Sequence, residues 1–99
     1  MMSEKILTLR VTETAIQFYQ AEQSVKAISA LYKSKLTKYF RQHGRPEGRM
    51  EADNPDFAEV IAHTADLYAM LADEKRNRYN AKRRHQNAVR ALMRFNQSH

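Results

Sequence analysis

The chain has 99 residues, of which 17 are Lys or Arg, 11 are Asp or Glu and none is cysteine, and its net charge is +6. A chain of this length forms one domain at most, and the lack of cysteine excludes disulfides and thiolate metal sites. No stretch approaches the roughly 18 consecutive apolar residues of a membrane span, so we expect a cytoplasmic protein with no membrane partner.

The supply of large apolar residues is small. Leu, Ile, Val and Phe together number 19, about a fifth of the chain. Chains with so few of these residues and a high net charge lie near the border at which they fail to fold alone. We therefore expect a second subunit to complete the core, in a homodimer.

Residues 1–11 are expected to form a short extended arm, with a strand in "EKILTLRV". Leu7, Leu9 and Val11 lie two residues apart, which is the period of a strand with one apolar face. A helix follows, and this order resembles the start of the ribbon-helix-helix DNA-binding family, with "SVKAISALYKSKLTKYF" as its second helix. The resemblance covers residues 5–40 and implies a DNA-binding dimer, although the glycine turn that usually separates the two helices is missing. Alternatively, the arm packs on the end of helix 2.

Helix 1 is expected over residues 12–43 and helix 2 over residues 55–95. Both glycines and both prolines fall within "GRPEGRMEADNP", so residues 44–54 are expected to form the loop between the helices. Asn54 is a good N-cap for helix 2, with Pro55 at the first helical position.

The apolar residues of both helices recur at spacings of three and four, as in a coiled coil. In helix 1 the series is Val11, Ala15, Phe18, Val25, Tyr32, Leu36 and Tyr39, with Glu22 and Ser29 in the same register. In helix 2 it is Phe57, Val60, Thr64, Leu67, Leu71, Glu74, Arg78, Ala81, His85, Ala88, Leu92 and Phe95. The expected fold is all-α, an antiparallel pair of long helices (a coiled-coil-like hairpin) with a short N-terminal arm, completed as a helical bundle by oligomerisation.

Polar residues interrupt the seam of helix 2 at its middle. Closing the loop brings Tyr39 near Phe57, and counting outward from there places Arg78 between Glu22 and Glu74. We expect this polar layer to fix the register of the hairpin.

Helix 2 has a second regular series on its opposite face. Its first part consists of small side chains that let another helix approach closely, and we expect the homodimer contact there. These residues are Ala58, Ala62, Ala65, Ala69 and Ala72. At the same spacing the series continues as Arg76, Asn80, Arg83, Asn87, Arg90 and Arg94.

Charge changes sign along helix 2. Residues 51–74 contain seven acids and no base, whereas residues 75–99 contain eight bases and no acid. An acid-free basic segment attracts polyanions. Guanidinium groups bind phosphate or guanine in bidentate fashion, Asn amides reach adenine edges, and one aromatic ring is available to stack on an unpaired base. The predicted binding site consists of the Arg/Asn series together with Lys75, Tyr79, Lys82 and Arg84.

Catalytic, metal and cofactor sites are not expected. His63 shares a helix face with Glu59 and Asp66, but no second histidine lies one turn away, so a surface ion pair is expected there instead of a metal site. His85 lies in the seam and is expected to be a packed polar residue. The chain shows neither a nucleophile with a base and an orienting group nor a glycine-rich phosphate loop, so we expect no enzymatic activity.

These patterns predict a small basic protein that binds DNA or RNA in a non-enzymatic accessory or regulatory role, such as bacterial or phage proteins perform. Two alternatives stay open, an inhibitor or adaptor that docks its basic helix on an acidic protein surface, and a helical subunit of a nucleoprotein assembly. A basic face that is merely solvated has a similar composition. Within residues 75–94, however, Arg outnumbers Lys six to two, and acids at helical pairing distance occur only at the edge of the segment, which favours an anionic partner.

Overall fold

Two long helices account for the fold. The computed structural model describes residues 3–98. Helix α1 is Glu4–His43, helix α2 is Ala58–Ser98, and a 3-10 turn, Pro55–Phe57, precedes α2. The helices pack against each other as an antiparallel hairpin, and no strand occurs in the described part of the chain. The predicted all-α hairpin is thereby confirmed.

The packed residues divide into two compact units. Among the described residues, unit 1 consists of Ser3, the first part of α1 to Val25, and residues 74–98 of α2, whereas unit 2 is Lys26–Asp73 and includes the loop. Each unit therefore pairs a part of α1 with a part of α2.

The core is thin in both units. Unit 1 buries Leu7, Val25 and Ala81. Unit 2 buries Phe57, Val60, Thr64 and Leu71. The Thr64 hydroxyl donates to the carbonyl of Val60 at 2.8 Å, so this polar side chain is buried with its hydrogen bond satisfied.

The arm expected for residues 1–11 is corrected by the structure, because α1 begins at Glu4. Ser3 caps the helix: its Oγ accepts a hydrogen bond from the backbone N–H of Ile6 at 3.2 Å. Glu4 adds a negative charge to the first turn, where it interacts favourably with the helix dipole. Residues 1 and 2 of the expected arm lie outside the described residues.

The alternation of Leu7, Leu9 and Val11 is therefore not that of a strand. Leu7 is 5% exposed and Val11 is half-buried, whereas Leu9 is 56% exposed. The packed residues lie four apart, as helix geometry requires, and the residue between them faces away. Because residues 5–40 lie in one uninterrupted helix, the resemblance to the ribbon-helix-helix family is wrong.

The predicted seam is confirmed along both helices. All twelve seam residues predicted for helix 2 are buried or half-buried, as are eight of the nine predicted for helix 1. The exception is Ala15, which is exposed, while its neighbour Thr14 is half-buried. The contact of the Thr14 hydroxyl with His85 of α2 shows that Thr14 lies on the packed side of α1.

Helix α1 ends at the predicted boundary, and the predicted N-cap Asn54 is confirmed on the other side of the loop. Gly44 ends α1 with a φ of 77°, a left-handed conformation that favours glycine, and its N–H donates to the carbonyl of Phe40 at 2.7 Å. On the other side of the loop, the Asn54 side chain accepts from the N–H of Asp56 at 3.0 Å, with Pro55 as the first residue of the 3-10 turn.

Aromatic side chains close the loop end of unit 2. Phe57 is fully buried and meets Phe40 edge to face, with ring centroids 6.3 Å apart. The guanidinium of Arg45, a loop residue, lies 5.6 Å from the Phe40 ring and 5.7 Å from the Phe57 ring. The loop cation thus covers the aromatic pair by cation–π contact.

The ion pairs expected in the predicted polar layer do not form among the described residues, although its three residues are not fully exposed. Glu22, Glu74 and Arg78 are all half-buried in unit 1. No ion pair joins Arg78 to either carboxylate in the described structure. A half-buried Arg can pack its aliphatic stem and keep its guanidinium in water, which avoids the cost of desolvating an ion pair.

Candidate nucleic-acid interface

The ten predicted binding residues are all exposed on α2 within unit 1. We call this surface the basic face; its members are Lys75, Arg76, Tyr79, Asn80, Lys82, Arg83, Arg84, Asn87, Arg90 and Arg94. The seam residues of the same segment pack toward α1. Packing of the seam therefore turns the basic face outward.

His85 anchors this segment of α2 to α1. Its Nδ1 lies 3.0 Å from Thr14 Oγ1, and its ring centroid lies 6.5 Å from that of Phe18. Ala81, one turn earlier, is 2% exposed. The prediction that His85 is a packed polar residue is confirmed, and its contacts fix which side of α2 faces solvent in unit 1.

The net charge of the protein is located in unit 1. Unit 2 contains seven Lys or Arg and seven Asp or Glu, whereas unit 1 contains ten Lys or Arg and four Asp or Glu. Residues 75–98 contain no acid, and seven of their eight cations are exposed. At physiological salt the field of such a cluster extends about 8 Å before it is screened, so it acts on anions close to this surface.

Two shallow grooves lie along the basic face. One, of about 260 Å³, is lined by Asn80, Arg83, Arg84 and Asn87. The other, of about 520 Å³, is lined by Asn87, Arg90, Met93, Arg94 and Gln97. Each groove places an amide beside guanidinium groups, so a donor suited to phosphate lies next to one suited to a base edge.

Two arginines of the basic face make contacts within α2. The guanidinium carbon of Arg83 lies 5.9 Å from the ring centroid of Tyr79. Arg94 donates from Nε to the carbonyl of Arg90 at 3.4 Å. These contacts restrict two long side chains before any ligand is present, which lowers the entropy that binding has to remove.

Met93 and Gln97 are part of the second groove and were missed by sequence reasoning. Met93 is 55% exposed, three residues after Arg90 on the solvent side of α2. Its position was visible in the helical spacing, but no role was predicted for it. An exposed Met gives the groove an apolar wall.

The five alanines of the expected dimer contact, by contrast, lie in unit 2. All of them are exposed: Ala58, Ala62, Ala65, Ala69 and Ala72. They form a surface of small side chains that remains accessible to another helix.

The predicted ion pair of His63 with Glu59 or Asp66 is replaced by contacts to α1. The Tyr39 hydroxyl donates to Glu59 Oε2 at 3.3 Å, and the Tyr39 ring lies 5.3 Å from that of His63. Burial raises the pKa of Tyr39, and the charge and hydrogen bond of Glu59 raise it further. Among the described residues, no group of three or more His, Asp or Glu side chains is arranged to hold a metal ion.

Neither helix contains, within residues 3–98, an apolar stretch long enough to cross a membrane. No protein family, curated protein or solved structure matches this chain.

Proposed function

We propose that the protein is a non-enzymatic, cytoplasmic accessory protein that binds nucleic acid through the basic face of α2. One observation carries the proposal: seven exposed cations on a helical segment of 24 residues that contains no acid. On an ordinary solvated helix, acids three or four residues from the bases neutralise such charge. Arg76 has Asp73 three residues before it, but the other six exposed cations have no acid at that spacing, so an external polyanion would neutralise them.

The composition of the face favours nucleic acid over a simple anion. Five of the seven exposed cations are Arg, whose planar guanidinium binds phosphate with two hydrogen bonds. Asn80 and Asn87 lie in the grooves beside them. Arginines that contact phosphates supply affinity, and amides that reach base edges supply selectivity.

The second candidate is a protein-binding module that docks the basic face on an acidic protein surface. It is favoured by four large apolar side chains of α1 that are exposed in the same unit. They are Ile6, Leu9, Ile16 and Tyr19, with exposed fractions of 46–62%. Exposed apolar residues close to charges of one sign are typical of protein interfaces.

A homodimer through the alanine surface of unit 2 is part of the proposal. Besides the five alanines, unit 2 leaves Leu31, Tyr68 and Met70 about half exposed or more. Small side chains allow two helices to approach closely, and the buried core of one chain is thin. A dimer would present two basic faces to one polynucleotide and raise its affinity by linking the two binding events.

Salt-dependent binding tests the proposed function. Affinities for single- and double-stranded oligonucleotides of mixed sequence are measured over a series of salt concentrations. Each phosphate neutralised adds about 0.9 to the log–log slope for duplex DNA and about 0.7 for single strands, so four arginine contacts give a slope of about −3 to −4. Replacing Arg83 and Arg90 by Glu should weaken binding to all sequences and flatten the slope.

The matched control is Lys33→Glu with Lys38→Glu. It makes the same change in net charge at two exposed lysines of unit 2, and it should reduce binding far less. Equal losses in the two double variants would show that only total charge matters. If the parent protein binds neither form of nucleic acid at about 50 mM salt, where binding is strong for proteins that contact phosphates, the proposal falls and the acidic-protein partner takes its place.

A further inference from the structure

Tyr79 occupies an unusual position on the basic face. Its side chain is 59% exposed. On a helix, the residues three and four positions before and after are the surface neighbours of a side chain. For Tyr79 these four neighbours are Lys75, Arg76, Lys82 and Arg83, so every one of them is a cation.

One of these cations contacts the ring directly. The guanidinium carbon of Arg83 lies 5.9 Å from the ring centroid, within the range of a cation–π interaction. Arg83 also lines the 260 Å³ groove with Asn80. The ring is thus held beside a group that binds phosphate and next to an amide that can reach a base edge.

Other exposed tyrosines in the chain lack these surroundings. Tyr19 is 62% exposed in unit 1, and its helical neighbours are Ala15, Ile16, Glu22 and Gln23. Tyr68 is also 62% exposed, but its ring packs on that of Tyr32 with centroids 5.9 Å apart, in the neutral unit. Exposure of the ring is therefore common here, whereas a cationic surround is particular to Tyr79.

We propose that Tyr79 is a stacking platform for an unpaired base, and that the preferred ligand of the basic face is single-stranded nucleic acid. The inference rests on the proposed function and makes its ligand specific. A ring surrounded by cations suits a ligand that combines a flat π surface with flanking negative charges, as a nucleotide within a strand does. In a duplex the base faces are stacked on one another, so the ring finds no partner and its cations act on phosphates alone.

Stacking and charge have different experimental signatures. Loss of a stacking ring weakens binding by about 5- to 150-fold, since stacking on an aromatic side chain contributes about 1–3 kcal/mol per base. It leaves the salt slope unchanged, because no counterion is displaced by the ring. Loss of a phosphate contact instead reduces the magnitude of the salt slope by about 0.7 on a single strand.

The test compares a labelled oligothymidylate with a duplex of the same length, using the full chain. The parent protein should bind the single strand more tightly. Tyr79→Ala should bind the single strand about 5- to 150-fold more weakly, with an unchanged salt slope. Tyr79→Phe should retain the affinity of the parent. Tyr19→Ala removes an equally exposed ring from the other helix of unit 1 and should have no effect on binding. Arg83→Ala should make the negative salt slope less steep.

The outcomes separate this inference from the function on which it rests. Equal affinity for both forms, or a Tyr79→Ala variant that binds the single strand like the parent, overturns the stacking platform and leaves nucleic-acid binding in place. Loss of binding in Tyr79→Phe as well as in Tyr79→Ala also overturns it, since the phenyl ring stacks as well. Absence of binding to any polynucleotide removes the proposed function itself.

Discussion

The contact between Thr14 and His85 shows how single residues satisfy polar groups inside the hairpin. Thr14 Oγ1 lies 2.7 Å from the carbonyl of Arg10 and 3.0 Å from His85 Nδ1. A hydroxyl has one proton, and the shorter contact, to a carbonyl, can only use it as a donor. Nδ1 of His85 therefore carries the proton of this hydrogen bond and donates it to Thr14.

Arg78 is a seam residue whose charge has no carboxylate partner in the described structure. Arg78→Leu should therefore raise the free energy of unfolding by about 1 kcal/mol, because a half-buried apolar side chain replaces a charge that has to stay hydrated. Denaturant unfolding followed by circular dichroism measures the change. Arg84→Leu, at an exposed position of the same helix, is the control and should give no such gain.

A lower stability of Arg78→Leu would show that Arg78 pairs with Glu22 or Glu74 in solution. Removing one partner of a buried pair costs about 3–5 kcal/mol, whereas an exposed pair contributes less than about 1 kcal/mol. The sign of the change thus decides between the predicted polar layer and the arrangement in the structure.

At the scale of the helices, spacing predicted the seam of α2 throughout and failed at the start of α1. From Phe57 to Phe95 the packed residues recur at intervals of three and four, which no strand pattern imitates over such a length. In contrast, Leu7 and Val11 fit a strand and a helix equally well over the first few residues. The residue that distinguishes the two is Ser3, whose capping hydrogen bond starts the helix, and its role was overlooked.

The packing of this first turn can be tested with two leucines. Leu7→Ala should cost about 2 kcal/mol or more, because Leu7 is 5% exposed and its removal leaves a cavity between the helices. Leu9→Ala should change stability by less than about 0.5 kcal/mol, because Leu9 is 56% exposed. Urea unfolding of both variants provides the comparison. Equal costs would mean that the two side chains share a packed face, as in the strand that the alternation predicted.

At the scale of the whole molecule, the division of charge follows from the order of residues along the chain. The seven bases of unit 2 lie in α1 and the loop and are balanced by the seven acids of residues 47–73, so that unit is neutral. The bases of residues 75–98 are opposed in unit 1 by only four acids, Glu4, Glu13, Glu22 and Glu74. This imbalance was readable from the sequence once the hairpin was assumed. What spacing alone did not show is which side chains contact one another on the basic face, because rotamers of long side chains depend on neighbours that a pattern does not specify.

The two units also divide the proposed tasks, since the basic face lies in unit 1 and the alanine surface in unit 2. Ala65→Glu should prevent the proposed homodimer, because a longer, charged side chain blocks close approach of two helices and its charge would be buried without a partner. Light scattering with analytical ultracentrifugation at micromolar concentration measures the mass. The control is Ala30→Glu, an exposed alanine of α1 in the same unit, which should leave the dimer intact. A parent protein with the mass of one 11.6 kDa chain would disprove the dimer. Nucleic-acid binding by that monomer would then show that the basic face acts without a second copy.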